Sequence, residues 1–265
     1  MRTAVMREPD GSAGDADYAV IGTRYADYRQ PEPAIAALIA RALGDARRVL
    51  NVGAGAGSYE PRDRDVTAVE PSATMRAQRP AGLAPAIDAV AEDLPFADGH
   101  FDAAMTTFSV HQWRDVRAGL REMRRVTRGP VVIMSCDPNL VRRFWLNDYA
   151  PAVLDAEARR YPTMGQMAVA LGGRGETVPV PIPWDCRDGF NEAYYARPER
   201  LLDRGARTSC SAWSFVLPES AAASVEALRR DLASGAWDEK YGHLREQAHY
   251  DGSLRLLVAL PGRSG

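Results

Sequence analysis

The sequence predicts an α/β protein built around a doubly wound, mostly parallel sheet. Short apolar runs at 48–52, 66–69 and 130–135 are continuous, as is typical of strands that are covered on both faces. Amphipathic helical patterns at 33–43 and 114–126 alternate with these runs, which is the order that βαβ units produce. A glycine-rich turn directly follows the first run, at the position where such folds bind ligands.

Length and composition exclude several classes of protein. The chain has 265 residues, enough for one large domain or for a core with an inserted lid. Its formal net charge of −2 disfavours nucleic acid as a partner. We expect no membrane association, because no apolar run reaches about 18 residues and the N-terminus lacks the apolar core of a signal peptide.

The cysteines indicate a reducing compartment. Cys136, Cys186 and Cys210 are widely spaced, match no zinc-binding pattern and are odd in number. We therefore expect free thiols in a cytoplasmic protein of bacterial type. No cluster of carboxylates is placed for a divalent ion, so we expect no metal.

Four regions differ in character. Residues 1–17 have no periodicity and are predicted to form a mobile tail. Residues 18–137 carry the alternating pattern of the ligand-binding core. Residues 138–203 mix aromatic residues and arginines with Pro and Gly, and they follow the most apolar strand, so we expect a lid that binds the substrate. Residues 204–265 are predicted to complete the sheet.

Several elements are predicted in detail. The link at 58–65 is too short for the usual helix between strands one and two, and Pro61 interrupts it, so a stunted helix or a turn is expected. A strand is predicted at 212–217, a helix at 220–234 and a last strand at 254–260. The end of the chain thus reads as helix, strand, long loop and strand. This order suits a pair of antiparallel strands at the edge of the sheet.

The glycine turn indicates which ligand is bound. Gly53, Gly55 and Gly57 alternate as G-x-G-x-G, whereas a dinucleotide fold prefers G-x-G-x-x-G, whose amides hold a pyrophosphate. The observed spacing suits a nucleoside without phosphates, S-adenosylmethionine (SAM). Glu70 ends the second apolar run, where it can accept both ribose hydroxyls.

A second stretch adds groups at the same edge of the sheet. Glu92 and Asp93 form an acidic loop before a Leu-Pro-Phe turn and can accept from an adenine amino group. The following strand then delivers Phe108 and His111 to the carboxyl edge. An imidazole that titrates near neutrality can accept a proton, so His111 is the candidate catalytic base.

With these residues in place, the chain resembles the class I SAM-dependent methyltransferases, of the Rossmann-like, small-molecule type. The resemblance covers roughly residues 20–137. The motifs that carry it are Val-Leu-Asn-Val-Gly-Ala-Gly-Ala-Gly at 49–57, Val-Glu-Pro-Ser at 69–72, Ala-Glu-Asp-Leu-Pro-Phe at 91–96 with Phe-Asp at 101–102, and Leu-Arg-Glu-Met-Arg-Arg-Val at 120–126.

The resemblance implies a seven-stranded sheet with an antiparallel last strand. It implies SAM as cofactor, and roles for matching residues. The glycine turn would surround the methionine moiety, Glu70 would hold the ribose, and the Ala91 amide would face the adenine. Asn51 stands where the family usually has an acid toward the methionine amine. The cofactor-binding residues so implied are Tyr25, Arg29, Asn51, Gly53, Ala54, Gly55, Gly57, Glu70, Pro71, Met75, Ala91, Glu92, Asp93 and Phe108.

The predicted reaction is an in-line SN2 methyl transfer to an O, N or C nucleophile of a small molecule. Trp145, Tyr149 and Trp184 are candidates for the substrate pocket, because such pockets are rich in aromatic residues. The protein is expected to be a monomer or a homodimer. A SAM-binding protein without turnover is one alternative. A nicotinamide-dependent oxidoreductase is a weaker one, since it would place the third glycine one position later and use a Tyr/Lys or Ser/Tyr pair.

Overall fold

The computed structural model describes residues 25–262, and the side chains from Asp27 onward. The predicted tail at 1–17 lies outside the described residues. Within the described part of the chain, no helix combines the length and the apolar character needed to cross a membrane.

A mostly parallel sheet forms the centre of the fold. Its strands run in the order β2-β1-β3-β4-β8-β5, and a two-stranded ribbon joins β6 to β7. Strands β1 to β4 are parallel, while β8 is antiparallel to both β4 and β5. The strands are β1 Arg48–Val52, β2 Asp65–Val69, β3 Ala103–Thr107, β4 Val131–Cys136, β5 Gly175–Pro179, β6 Ile182–Pro183, β7 His249–Tyr250 and β8 Leu254–Ala259.

Helices cover both faces of the sheet. One buried cluster joins α2 to the residues after β4, and a second joins α4 to α7. The α-helices are α1 Tyr25–Tyr28, α2 Pro33–Leu43, α3 Ala73–Ala77, α4 Val116–Val126, α5 Pro138–Val141, α6 Pro151–Arg160, α7 Met164–Ala170, α8 Arg204–Thr208, α9 Pro218–Ser234 and α10 Ala236–Tyr241. Short 3₁₀ helices are Val110–Gln112, Trp145–Asp148, Asn191–Tyr194, Pro198–Leu202, Ser211–Phe215 and Gly242–Glu246.

Local chemistry sets where the helices begin and end. Glu32 caps α2, whose first residue is Pro33, and the chain leaves this helix at Gly44 with a φ of 59°. Asp115 caps α4 by accepting a hydrogen bond from the Ala118 amide at 3.0 Å. These ends confirm the predicted helices, as Gly235 does for α9 at a φ of 82°.

The described residues contain six strands in the main sheet, where seven were predicted. The missing edge strand beside β2 is reduced to a single bridge between Val69 and Ile87. Pro80 and Pro85 flank Gly82 in this segment, and proline cannot donate to a strand ladder, so a longer edge strand does not form. The antiparallel last strand is confirmed.

The predicted strand at 212–217 is wrong. The chain forms a 3₁₀ helix at Ser211–Phe215, and Val216 and Leu217 lead from it into α9. The edge partner of β8 is instead β5, inside the predicted insertion. The expected short link at 58–65 is confirmed, because no helix lies between β1 and β2.

Candidate functional site

A cleft lies at the carboxyl ends of the parallel strands, where open α/β sheets bind ligands. The predicted residues that line it are Arg29, Gly53, Ala54, Gly55, Glu70, Pro71, Met75, Ala91, Glu92 and Phe108. The lining residues that sequence reasoning missed are Ala56, Ser58, Tyr59, Thr107, Ser109, Gln112, Trp113 and Asp188. We call this space the first cleft.

The glycine turn after β1 forms the floor of the first cleft. Gly53 and Gly55 have φ values of 65° and 52°, in the left-handed region that favours glycine. A Cβ on Gly53 would lie 1.8 Å from the Ser109 Oγ atom, so the strand and the loop after β3 touch here without room for a side chain. Gly57 does not line the cleft; a Cβ there would meet Leu83 at 2.2 Å.

Glu70 is held at the end of β2 by the backbone. The Gly55 amide donates to Oε2 and the Ser72 amide donates to Oε1, both at 2.8 Å. Burial raises the pKa of the Glu70 carboxyl, and the two amide hydrogen bonds and the nearby guanidinium of Arg76 oppose that rise. Each carboxylate oxygen keeps a second lone pair, so the carboxylate can still accept from a pair of hydroxyls.

Asn51 lies under the turn and does not line the first cleft. Its Nδ2 atom donates to Glu60 Oε1 at 3.0 Å. Glu60 in turn forms a bidentate ion pair with Arg79, with distances of 3.0 and 2.9 Å, and both side chains are buried. The structure therefore places Asn51 in a buried polar network behind the turn rather than beside a ligand. Asp93 also lies outside the lining, and the side chain of Tyr25 lies outside the described residues.

The opposite wall of the cleft carries an unsatisfied acceptor. Glu92 uses Oε1 to accept from the Asp115 amide at 3.0 Å, and its Oε2 atom is buried with no hydrogen-bond partner among the described residues. A buried oxygen of this kind requires a donor, and an adenine amino group is a suitable one. The Trp113 indole, which donates to Ser109 Oγ at 3.0 Å, adds a flat apolar surface to this cleft.

An ion pair closes the part of the cleft next to β3. Arg29 Nε donates to Asp188 Oδ1, and the Tyr59 hydroxyl donates to Asp188 Oδ2 at 2.8 Å. The Arg29 guanidinium also lies over the ring of Phe108, with its carbon 4.9 Å from the ring centroid. Asp188 comes from the predicted insertion, so residues far apart in sequence complete this part of the site.

A second cleft opens beside the first and shares Arg29 and Phe108 with it. Its other lining residues are His111, Glu157, Arg160, Tyr161, Phe190, Asn191, Ser209, Cys210, Ser211 and Ala212. Apart from His111, these residues come from the predicted insertion and the segment after it.

In the second cleft, the surroundings raise the pKa of Glu157 and lower the pKa of His111. Burial raises the pKa of Glu157, although Asn191, which donates to its Oε2 atom at 2.8 Å, and the nearby arginines oppose the rise. Burial, together with the positive charges of Arg160 and Arg29, lowers the pKa of His111 well below its ordinary value. His111 is therefore neutral at physiological pH and a weak base, whereas Glu157 has increased proton affinity.

The three aromatic residues predicted for the substrate pocket line neither cleft. Trp145 is buried, donates to the Tyr195 carbonyl at 3.0 Å and packs edge-on against Trp237, so it belongs to the core. The Tyr149 hydroxyl donates to an aspartate of α9. Trp184 is 45% exposed. Trp145 and Tyr149 therefore contribute to packing.

Comparisons with known proteins identify the domain. Residues 50–133 match the family described as "Methyltransferase domain". The matched segment is about a third of the chain and runs from β1 to β4. A candidate methyltransferase from an antibiotic biosynthesis pathway of Anabaena variabilis has a solved structure with a TM-score of 0.81 and 28% identity, covering 88% of this chain and 98% of that one.

Curated relatives match over shorter segments. A demethylmenaquinone methyltransferase of Porphyromonas gingivalis is 29% identical over 114 residues, covering 39% of this chain and 45% of that protein. An uncharacterized Escherichia coli protein, YafE, is 42% identical over 60 residues, covering 21% of this chain and 29% of that protein. The matches thus span less than half the length of these relatives. A Thermotoga maritima SAM-dependent methyltransferase, at 13% identity and a TM-score of 0.55, shares the fold.

Proposed function

We propose that the protein transfers a methyl group from SAM, bound in the first cleft, to a small molecule bound in the second cleft. The observation that carries this proposal is that the two clefts meet at Arg29 and Phe108. Two substrates of a direct displacement must face each other across a short distance, and adjoining clefts permit this arrangement.

The residues of the first cleft suit the parts of SAM. We assign Glu70 to the ribose hydroxyls, and Glu92 together with the Ala91 backbone to the adenine. The glycine turn would lie against the methionine chain, because only a bare backbone leaves room there. SAM supplies an activated methyl group on a sulfonium, so the protein chiefly binds, orients and excludes water.

In the second cleft, we assign Glu157 rather than His111 to receive a proton from the acceptor. Asn191 fixes the Glu157 carboxyl, and the Trp213 indole donates to Asn191 Oδ1 at 3.0 Å, so the carboxyl is held by a buried chain of hydrogen bonds. Neutral His111 then packs against Tyr161, at a centroid distance of 4.5 Å, and shapes the cleft. The rings that line the cleft favour a flat acceptor that bears an O–H or N–H group.

The binding half of this function is tested by isothermal titration calorimetry with SAM, S-adenosylhomocysteine (SAH) and NADP. We expect the first two ligands to bind and NADP not to bind. The Glu70→Ala variant should weaken SAH binding by about 1.5–3 kcal/mol, as expected for lost hydrogen bonds to a charged group. Glu226→Ala, which removes an exposed acid of α9, is the matched control. Unchanged SAH affinity in Glu70→Ala would contradict the assignment.

The transfer half is tested with methyl-labelled SAM and a panel of phenols and aromatic amines, with the methylated product identified by mass spectrometry. Product formation that depends on an intact first cleft supports the enzyme. SAH binding together with no product from any acceptor of this class would instead favour a SAM-binding protein without turnover.

A further inference from the structure

The ion pair between Arg29 and Asp188 is buried, yet both residues line the first cleft. Their side chains are only 10% and 4% exposed. Two charges that leave water are stabilised only when their remaining donors and acceptors are also used. Asp188 Oδ1 accepts from Arg29 Nε, whereas Oδ2 accepts from the Tyr59 hydroxyl at 2.8 Å and from Arg29 Nη2 at 3.5 Å. One lone pair on Oδ1 is therefore left, and Asp188 can accept from one further donor.

Backbone strain is concentrated around this ion pair. Among the described residues, Tyr59 and Phe108 are the non-glycine residues with positive φ, at 63° and 50°. Tyr59 donates its hydroxyl to Asp188, and Phe108 lies beneath the Arg29 guanidinium. Such conformations cost free energy and cluster at ligand sites, where the surrounding structure enforces them. The strain indicates that the position of the pair is functionally constrained.

Of the acids that line the first cleft, Asp188 forms a direct ion pair with another lining residue, Arg29. Glu70 is occupied by two backbone amides, and Glu92 lies beside the N-terminus of α4. A pair of opposite charges complements an α-amino acid group, which carries an ammonium and a carboxylate a few ångströms apart. The Arg29–Asp188 ion pair and the α-amino acid group each carry no net charge. Binding of that group therefore adds no net charge to this buried part of the cleft. A guanidinium fork also matches carboxylate geometry.

We propose that Asp188 binds the α-ammonium group of SAM, next to Arg29, for which the resemblance to the family's N-terminal Tyr/Arg element already implies a place at the α-carboxylate. The insertion at 138–203 thereby supplies the acid for the methionine end of the cofactor site. This inference rests on the proposed function, since it requires SAM in the first cleft. It makes Asp188 the residue that distinguishes SAM and SAH from nucleosides that lack the amino acid group.

The test compares two ligands in one variant. SAH carries the amino acid group, and 5′-methylthioadenosine is the corresponding nucleoside without it. In calorimetry, Asp188→Asn should lower SAH affinity by about 10- to 100-fold, the range expected for a lost hydrogen bond between charged groups. Affinity for 5′-methylthioadenosine should change by less than about twofold, because no lost contact involves that ligand.

Two further variants keep the test decisive. Tyr59→Phe removes the hydroxyl that donates to Asp188. It should lower SAH affinity several-fold and leave the affinity for 5′-methylthioadenosine unchanged. This variant tests the inference even if Asp188→Asn fails to fold. Asp155→Asn removes the acid of an exposed ion pair with Arg142 and should change neither affinity.

Equal losses for both ligands in a folded Asp188→Asn variant would show that the residue only holds the cleft together, and would overturn the inference. Unchanged SAH affinity in folded Asp188→Asn would also overturn it. If the wild-type protein binds neither ligand, the proposed function itself fails. If it binds both and the variants do not discriminate, only the role of Asp188 fails.

Discussion

The contact between the glycine turn and the loop after β3 can be tested with one methyl group. In Gly53→Ala, the new Cβ would lie 1.8 Å from the Ser109 Oγ atom and 2.7 Å from its Cβ atom. The Ser109 hydroxyl accepts from the Trp113 indole at 3.0 Å, and both side chains line the first cleft. The methyl group must therefore displace a cleft wall. Gly235→Ala is the matched control, because Gly235 lies in the left-handed region at a φ of 82° and a Cβ there would meet no atom within 4 Å.

The two variants separate the cost of φ from the cost of the clash. Placing alanine in the left-handed region costs about 1–2 kcal/mol. Overpacking a close contact adds about 1–3 kcal/mol. We therefore expect Gly235→Ala to lower the free energy of unfolding by about 1–2 kcal/mol and Gly53→Ala to lower it by about 2–5 kcal/mol.

Urea unfolding at matched m-values measures both free energies, and calorimetry measures the affinity for SAH. Gly53→Ala should also weaken SAH binding by at least about tenfold, or about 1.4 kcal/mol, while Gly235→Ala leaves it unchanged. Equal free energies of unfolding for the two variants, with equal SAH affinities, would show that Ser109 moves aside freely. The tight approach between turn and loop would then have no functional consequence.

Further predictions concern the turn and two buried acids. Gly55 has a φ of 52°, and a Cβ there would lie 3.3 Å from Met75 Cε. Gly55→Val should therefore abolish SAH binding in calorimetry, while circular dichroism shows a retained fold. Glu157→Gln should leave SAH affinity unchanged and slow methyl transfer to O–H or N–H acceptors by about 100-fold or more. Burial raises the pKa of Glu192 to about 7 from 4.5, so its contribution to stability falls as pH rises through this window. Glu192→Gln should remove that slope, worth up to about 3 kcal/mol, in urea unfolding at pH 5, 6 and 7.

The parts of the site that lie next to strands could be predicted from the sequence. Gly53, Glu70 and Glu92 sit directly after or near apolar runs, and parallel strands bring their carboxyl ends to one edge of a sheet. The side chains that reach the same edge from distant segments could not be predicted in this way. Asp188 and Glu157 arrive through tertiary packing, and no local pattern in the sequence carries that information.

The role of an aromatic residue is also difficult to predict from the sequence. Trp145 is a reasonable candidate for the substrate pocket on sequence alone, because a ring in a lid and a ring in a core have the same composition signal. Only its packing against Trp237 decides the matter. The strand predicted at 212–217 is wrong for a related reason, since its apolar residues fit a strand equally well as a 3₁₀ helix until their burial is known.

The short link after the glycine turn is consistent with the proposed role of Asp188. Without a helix at 58–65, the turn is supported from behind by Arg79, which contacts the Gly55 carbonyl at 3.4 Å and holds the Glu60 carboxylate. Asn51 donates a hydrogen bond to Glu60, so an acid at position 51 would lie within hydrogen-bond distance of the Glu60 carboxylate. The Arg79 guanidinium would then have to neutralise two carboxylates. Like charges so placed disfavour ionisation and destabilise the buried network. The chain has the amide of Asn51 at this position. The acid that we propose for the ammonium group, Asp188, lies outside the network of Asn51, Glu60 and Arg79.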